Sequence, residues 1–258
     1  MPELPEVESA VARLRQATVG KTIVAARVLH PALQRRLSQR KAGTLRGARV
    51  VSVTRRGKHQ LLALDDGRTV HAHFRMTGDW TIDHVDDPLP RFARASLSFD
   101  DGTRVVLDDP RALSTLEVHA KNANVDLGLG PEPDDPALTA DALKAALERK
   151  RGPIKPVLLD QRVIAGLGNI YAAEALWHAR ISPAAPAASL PQKRIAALLR
   201  AIRKVIARAT GARYTDDDVS KLAVYDREGL PCRRCGTPIE RVVQAGRSTY
   251  FCPTCQAD

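Results

Sequence analysis

The first 231 residues hold no cysteine, and all four thiols lie in the last 27 residues. No secretory leader opens the chain, and no apolar run approaches the roughly 18 residues of a membrane span. The sequence therefore reads as an intracellular protein, neither exported nor membrane-spanning. In that reducing setting a terminal cluster of thiols argues for a metal rather than disulfides. No internal repeat is present, which excludes a solenoid, and no long helical period interrupts roughly residues 20 to 120. What is abundant is positive charge: 40 Lys and Arg against 29 Asp and Glu give a net +11, with a pI of about 9.9. The excess divides into +5 over residues 1–126 and +6 over residues 127–258. No basic tail accounts for it, and both halves suit a polyanion, nucleic acid before an anionic membrane. At 258 residues, two domains of ordinary size are expected.

The opening octet, Met1-Pro2-Glu3-Leu4-Pro5-Glu6-Val7-Glu8, carries two readings. Pro5 suits a first helical turn, Glu6 and Glu8 favour the positive end of the helix dipole, and Val7, Val11 and Leu14 repeat on one face. In isolation the stretch is a well-made helix start, and Gly20 ends the helix. If the initiator Met1 is removed, as the small Pro2 permits, the chain instead begins with a secondary amine beside a carboxylate. An α-amino group titrates at roughly 7.7–8.0, so near neutral pH part of it is unprotonated and can attack a carbonyl-like carbon to give an iminium. Glu3 then stands one residue away as a proton donor or acceptor.

Seven short β-favouring runs follow: Thr22–Leu29, Ala48–Thr54, Gln60–Leu64, Thr69–Phe74, Ala95–Phe99, Thr103–Leu107 and Thr115–Val118. Asp-Gly turns at Asp66-Gly67 and Asp101-Gly102 join neighbours as hairpins, which predicts an antiparallel sandwich or barrel. Arg55-Arg56-Gly57-Lys58-His59 sits between two runs, either as a solvated turn or as positive charge ready for phosphates. His71, His73 and Arg75 alternate and share a strand face ahead of Met76-Thr77-Gly78, where histidines are by default hydrogen-bonded structural residues. Arg111, after Asp108-Asp109-Pro110, stands where an Arg is commonly a surface residue.

The run from Gly128 to Pro136, rich in Pro and Gly, marks a domain boundary. Beyond it Thr139 caps a helix to about Lys150, with Leu143, Ala146 and Leu147 on one face. Pro191 opens a longer helix, with Ile195, Leu198, Leu199, Ile202, Val205 and Ile206 in register and an end at Gly211. Between them, Gly166-Leu167-Gly168-Asn169-Ile170-Tyr171 is either a plain interhelical turn or a phosphate cradle, with backbone N–H groups and a helix N-terminus pointing at one anion. Cys232-x2-Cys235 and Cys252-x2-Cys255, separated by sixteen residues, have the spacing of a four-thiolate zinc site. Four thiolates close the tetrahedron, so that zinc is structural. Between the knuckles, Ile239–Val243 and Ser248–Phe251 form a hairpin with Arg247 at its tip, within reach of phosphate.

Taken together, the opening octet, the Gly166–Tyr171 motif and the four-cysteine hairpin resemble the bacterial formamidopyrimidine-DNA glycosylase and endonuclease VIII family, and Leu4 resembles its formamidopyrimidine branch. The resemblance spans nearly the whole chain. It implies an α+β protein: an N-terminal antiparallel β-sandwich with a leading helix (1–126), a linker (127–136), a helix-two-turn-helix domain (137–225) and a zinc finger (226–258). It implies a bacterial, cytoplasmic and nucleoid-associated monomer, acting on damaged double-stranded DNA and needing one structural zinc but no membrane. The activity implied is base excision with strand cleavage. Pro2 resembles the nucleophile at C1′, Glu3 the acid, Glu6 a supporting carboxylate, and Lys58 a further residue of the catalytic set that touches phosphate. Met76 and Arg111 resemble residues that fill the gap left by a flipped lesion. Lys155, Asn169 and Arg247 resemble DNA-contacting positions. Two departures bear on the lesion. Leu113 stands where the formamidopyrimidine branch usually has an aromatic, and the stretch from Thr210 to Lys221 is shorter than the segment that covers a flipped 8-oxoguanine. Formamidopyrimidines or oxidised pyrimidines are therefore expected to be processed as well as 8-oxoguanine, or better.

Overall fold

The computed structural model describes residues 1–123, 125–210 and 222–257. The chain divides into two compact units, Met1–Leu127 and Gly128–Asp258. In the first, helix α1 (Leu4–Thr18) precedes eight strands: β1 (Ile23–Val28), β2 (Val50–Arg56), β3 (His59–Leu64), β4 (Thr69–His73), β5 (Asp79–His84), β6 (Ala93–Phe99), β7 (Thr103–Asp108) and β8 (Thr115–His119). Two short helices, α2 (Pro31–Gln34) and α3 (Gln39–Gly43), fill the connection from β1 to β2. The strands form two four-stranded antiparallel sheets, ordered β1-β6-β7-β5 and β2-β3-β4-β8. Val7, Val11 and Leu14 of α1 share one apolar core with Ile23, Leu97 and Leu107 of one sheet and Val53, Leu62 and Val70 of the other. The helix thereby fixes the start of the chain against the sandwich.

One strand, β5, escapes the sequence pattern. Only Trp80 of its six residues is buried, with Ile82 partly buried against the core; Asp79, Thr81, Asp83 and His84 occupy the other positions and blur the alternation.

The second unit contains α4 (Ala140–Glu148), α5 (Ile154–Leu158), α6 (Asn169–Ala179), α7 (Gln192–Ala209) and the hairpin β9 (Glu240–Gln244) and β10 (Arg247–Phe251). Thr139 caps α4 by accepting from the Ala142 N–H. Helix α7 buries Ile195, Leu198, Leu199, Ile202, Val205 and Ile206, as the periodicity predicts. The expected helix end at Gly211 and the short segment up to Lys221 lie outside the described residues. In the hairpin, Ala245 and Gly246 both take positive φ (48° and 72°), the geometry of a two-residue turn that matches strand twist. No helix among the described residues is long and apolar enough to cross a membrane.

Candidate functional site

Pro2 is buried and stands directly before the N-cap of α1. Glu3, 2% exposed, is that N-cap. Its carboxylate accepts the backbone N–H of Glu6, and its own N–H donates to Glu6 Oε2 at 2.8 Å, a reciprocal capping box. The helix start and the Pro2-Glu3 pair are thus one structure: the cap places the Glu3 carboxylate at the positive end of the α1 dipole, directly after Pro2 in the chain. The described chain retains Met1, half-buried.

Lys58, 6% exposed, lies with Gly57 in the two-residue turn between β2 and β3. That turn is tied to α1. Arg55 Nε donates to Glu8 Oε2 at 2.7 Å, and Arg55 Nη1 donates to the Gly57 carbonyl at 3.0 Å. The sequence pattern did not single out this tether, because Arg55 and Glu8 lie far apart in the chain.

Met76 (37% exposed), the exposed Arg111 and Leu113 (45% exposed) occupy two loops after β4 and β7. Asp109, fully buried, joins these loops. Its carboxylate accepts from Thr77 Oγ1 of the first loop and from the N–H groups of Arg111 (3.1 Å), Leu113 (2.7 Å) and Ser114 (2.8 Å) in the second. Burial opposes its ionisation, but these donors outweigh it and hold the carboxyl below the usual range. Asp109 went unnoticed as an organiser; an Asp with several backbone amides just downstream was the available signal.

In the second unit the structure brings Lys155, Asn169 and the hairpin tip together, but Lys155 is not on the surface. It is 1% exposed. Its Nζ donates to Asn169 Oδ1 (2.7 Å), the Ser248 carbonyl (2.9 Å) and Thr249 Oγ1 (2.7 Å). Through these bonds Lys155 orients Asn169 and anchors β10. Asn169 Nδ2 also donates to the Ser248 carbonyl at 3.0 Å, next to the exposed Arg247. Gln161, another residue the sequence did not single out, accepts the Gly166 N–H (2.9 Å) and donates to the Leu167 carbonyl (2.8 Å), holding the glycine turn ahead of α6. Glu174 of α6, 5% exposed, accepts the N–H groups of Ala223, Val224 and Tyr225 at 2.7–3.0 Å.

The ligand atoms of Cys232, Cys235, Cys252 and Cys255 lie within 4.8 Å of one another. Sulfurs on a tetrahedral zinc at about 2.3 Å are about 3.8 Å apart; Cys235–Cys252 and Cys232–Cys255 are separated by 3.5 and 4.0 Å. Burial pushes Cys252 up to about 12 and raises Cys255, whereas Cys232 falls to about 6: its own burial opposes ionisation, and N–H donation from the Arg234 backbone and the Trp177 indole overcomes it. The residues fit one structural zinc, held by four cysteines with no open position.

Three family models match in succession. "Formamidopyrimidine-DNA glycosylase N-terminal domain" covers residues 1–116, "Formamidopyrimidine-DNA glycosylase H2TH domain" covers 129–217, and "Zinc finger found in FPG and IleRS" covers 229–257. The formamidopyrimidine-DNA glycosylase of Herpetosiphon aurantiacus is 40% identical over 100% of both chains. That of Thermus thermophilus is 40% identical over 100% of this chain and 99% of its own. Among solved structures, the Lactococcus lactis enzyme, non-covalently bound to DNA containing an AP site, superposes with a TM-score of 0.92 at 29% identity, covering 99% of this chain and 100% of that one. The Thermus thermophilus crystal structure gives 0.87 at 39% identity over 100% and 99%. Family models in succession along the chain and relatives 40% identical over its full length give the same answer, and the chain belongs to the formamidopyrimidine-DNA glycosylase family.

Proposed function

We propose that this chain excises oxidised bases from double-stranded DNA and cleaves the resulting abasic site, with Pro2 as the nucleophile. The observation that carries this reading is the capping box: it fixes a buried Glu3 carboxylate at a helix N-terminus, one residue after Pro2. Removal of Met1 frees that nitrogen as an amine. The amine attacks C1′ and loses its proton as the glycosidic bond breaks and the base departs; Glu3, the nearest acid, then gives a proton to O4′ as the C1′–O4′ bond opens, which leaves an iminium between the Pro2 nitrogen and C1′. The resulting iminium draws electrons from the sugar and acidifies the C2′ hydrogen. Loss of that proton expels the 3′ phosphate, and a second elimination expels the 5′ phosphate. One amine thus releases the base and cuts the strand.

In this reading residues 1–126 carry the chemistry, and residues 137–225 and 226–258, after the linker 127–136, carry DNA contacts. Glu6 supports Glu3 through the cap, Lys58 meets phosphate near the reaction centre, and Met76 and Arg111 enter the gap left by the extruded nucleotide. Asn169 and Arg247 contact the backbone, while Lys155 acts through them. Zinc, where bound, supplies only rigidity to the hairpin. The test is strand cleavage on duplexes carrying single lesions. Native chain with a verified Pro2 terminus is expected to cut them, and Glu3→Gln to lose about 100-fold or more in base release. Unchanged base release in Glu3→Gln would remove Glu3 from the mechanism. In the same panel formamidopyrimidine or oxidised-pyrimidine lesions should be cut at least as fast as 8-oxoguanine; a clear lead for 8-oxoguanine would remove the role assigned to Leu113.

A further inference from the structure

A cluster on the outer face of the sheet β2-β3-β4-β8 is left unused by this chemistry. Cross-strand register sets His59 opposite His73, His71 opposite Glu117, and Thr69 opposite His119. Side chains alternate along strands, so Leu62, Val70, Ala72, Leu116 and Val118 point into the core, while His59, His71, His73, Glu117 and His119 share the opposite face. They line a cavity of about 330 Å³. His59 Nδ1 lies 2.8 Å from His71 Nε2, and His71 Nδ1 lies 3.2 Å from His119 Nε2. Ligand atoms of His71, Glu117 and His119 all fall within 4.8 Å of one another.

We propose that His71 Nδ1, His119 Nε2 and the Glu117 carboxylate form a second site for a divalent transition ion of the zinc class, with its remaining coordination positions open to the cavity. Two nitrogens bound to one zinc at 2.0–2.1 Å in a tetrahedron sit about 3.3 Å apart, and the 3.2 Å separation already meets that spacing. A metal-bound histidine characteristically donates its other ring N–H to a neighbour, which fixes its tautomer; His59 Nδ1 is placed to receive His71 Nε2–H. Imidazole donors select zinc, nickel or copper over magnesium and calcium. Arg36 pairs with Glu117 and Arg75 lines the same cavity. Both cations weaken the site, so it fills after the four-cysteine site. The half-exposed Arg36 side chain is free to swing toward solvent when the carboxylate binds metal.

The test is zinc stoichiometry of the full chain, by equilibrium dialysis and elemental analysis. The expected result is two zinc ions per chain, with the second lost in the double variant His71→Gln/His119→Gln while the first remains. Glu117→Gln, which preserves cavity volume, should weaken the second ion about tenfold or more. Melting temperatures measured in chelator check that the variants fold. X-ray absorption on unmutated protein, loaded with the second ion as nickel, should show nitrogen and oxygen neighbours without sulfur. Saturation at one zinc, sulfur scattering around the added ion, or a second ion retained at unchanged affinity in the folded double variant would overturn the proposal.

Discussion

The sandwich and the terminal hairpin hold their polar groups by opposite means. In the first unit a contiguous apolar core reaches from α1 through both sheets, and Pro2, Glu3 and Lys58 ride on it. Their removal should change chemistry and leave the fold standing. In the hairpin, β9 is exposed along almost its whole length, with Val243 67% exposed. The small apolar cluster beneath it includes two of the metal-binding cysteines, Cys232 and Cys252. So little apolar burial cannot order two strands alone. A four-cysteine zinc site and the buried Lys155 ammonium do so instead, and there the functional geometry and the fold are the same interactions.

Metal removal should give the largest effect. Structural zinc sites contribute on the order of 10 kcal/mol to the folding of small modules. Chelation, or Cys252→Ser, should therefore melt β9 and β10 and abolish tight DNA binding, while the first unit keeps its own unfolding transition. Full DNA affinity after verified zinc loss would break the contrast. Lys155→Met comes next, because it takes the buried donor away from Asn169 Oδ1 and Thr249 Oγ1. A loss of about 3 kcal/mol in thermal or denaturant unfolding is expected, with weaker DNA binding but an unchanged dependence on salt. A salt slope lower by about one would instead mean that Lys155 touches phosphate. In the sandwich the corresponding tether is weaker. Arg55→Ala, which unties Gly57 from Glu8, should cost about 1 kcal/mol in denaturant unfolding, since Glu8 is partly solvated. The smallest effect is expected at Leu113. Leu113→Phe should leave the melting temperature unchanged, because the residue is exposed, and should alter discrimination among lesions by about tenfold at most, read as a ratio of kcat/KM values.

How much was legible in the sequence follows the same division. Hydrophobic periodicity located α1, α7 and seven of the eight sandwich strands, because those elements bury one face; β5 escaped because Asp79, Thr81, Asp83 and His84 leave it only two apolar positions. Cysteine spacing marked the zinc site, whose ligands are local pairs. Long-range polar contacts were not legible: nothing near Lys155 in the chain announces Thr249, and nothing near Glu174 announces Ala223. Asp109 and Gln161 act on amides a few residues away, so a polar side chain just ahead of a Pro or Gly turn is the local signal for both. The His71, Glu117 and His119 cluster required strand register, which alternation alone does not supply.

The most direct test of the account is borohydride trapping on duplex DNA containing an abasic site. It compares chain with a verified Pro2 terminus, chain retaining Met1, and Pro2→Gly, all matched for melting temperature. The account predicts a covalent adduct at the N-terminal residue for the processed native chain, none for the chain retaining Met1, and a sharply slower reaction for Pro2→Gly. No adduct from the processed native chain, or an equal adduct from the chain retaining Met1, would contradict it.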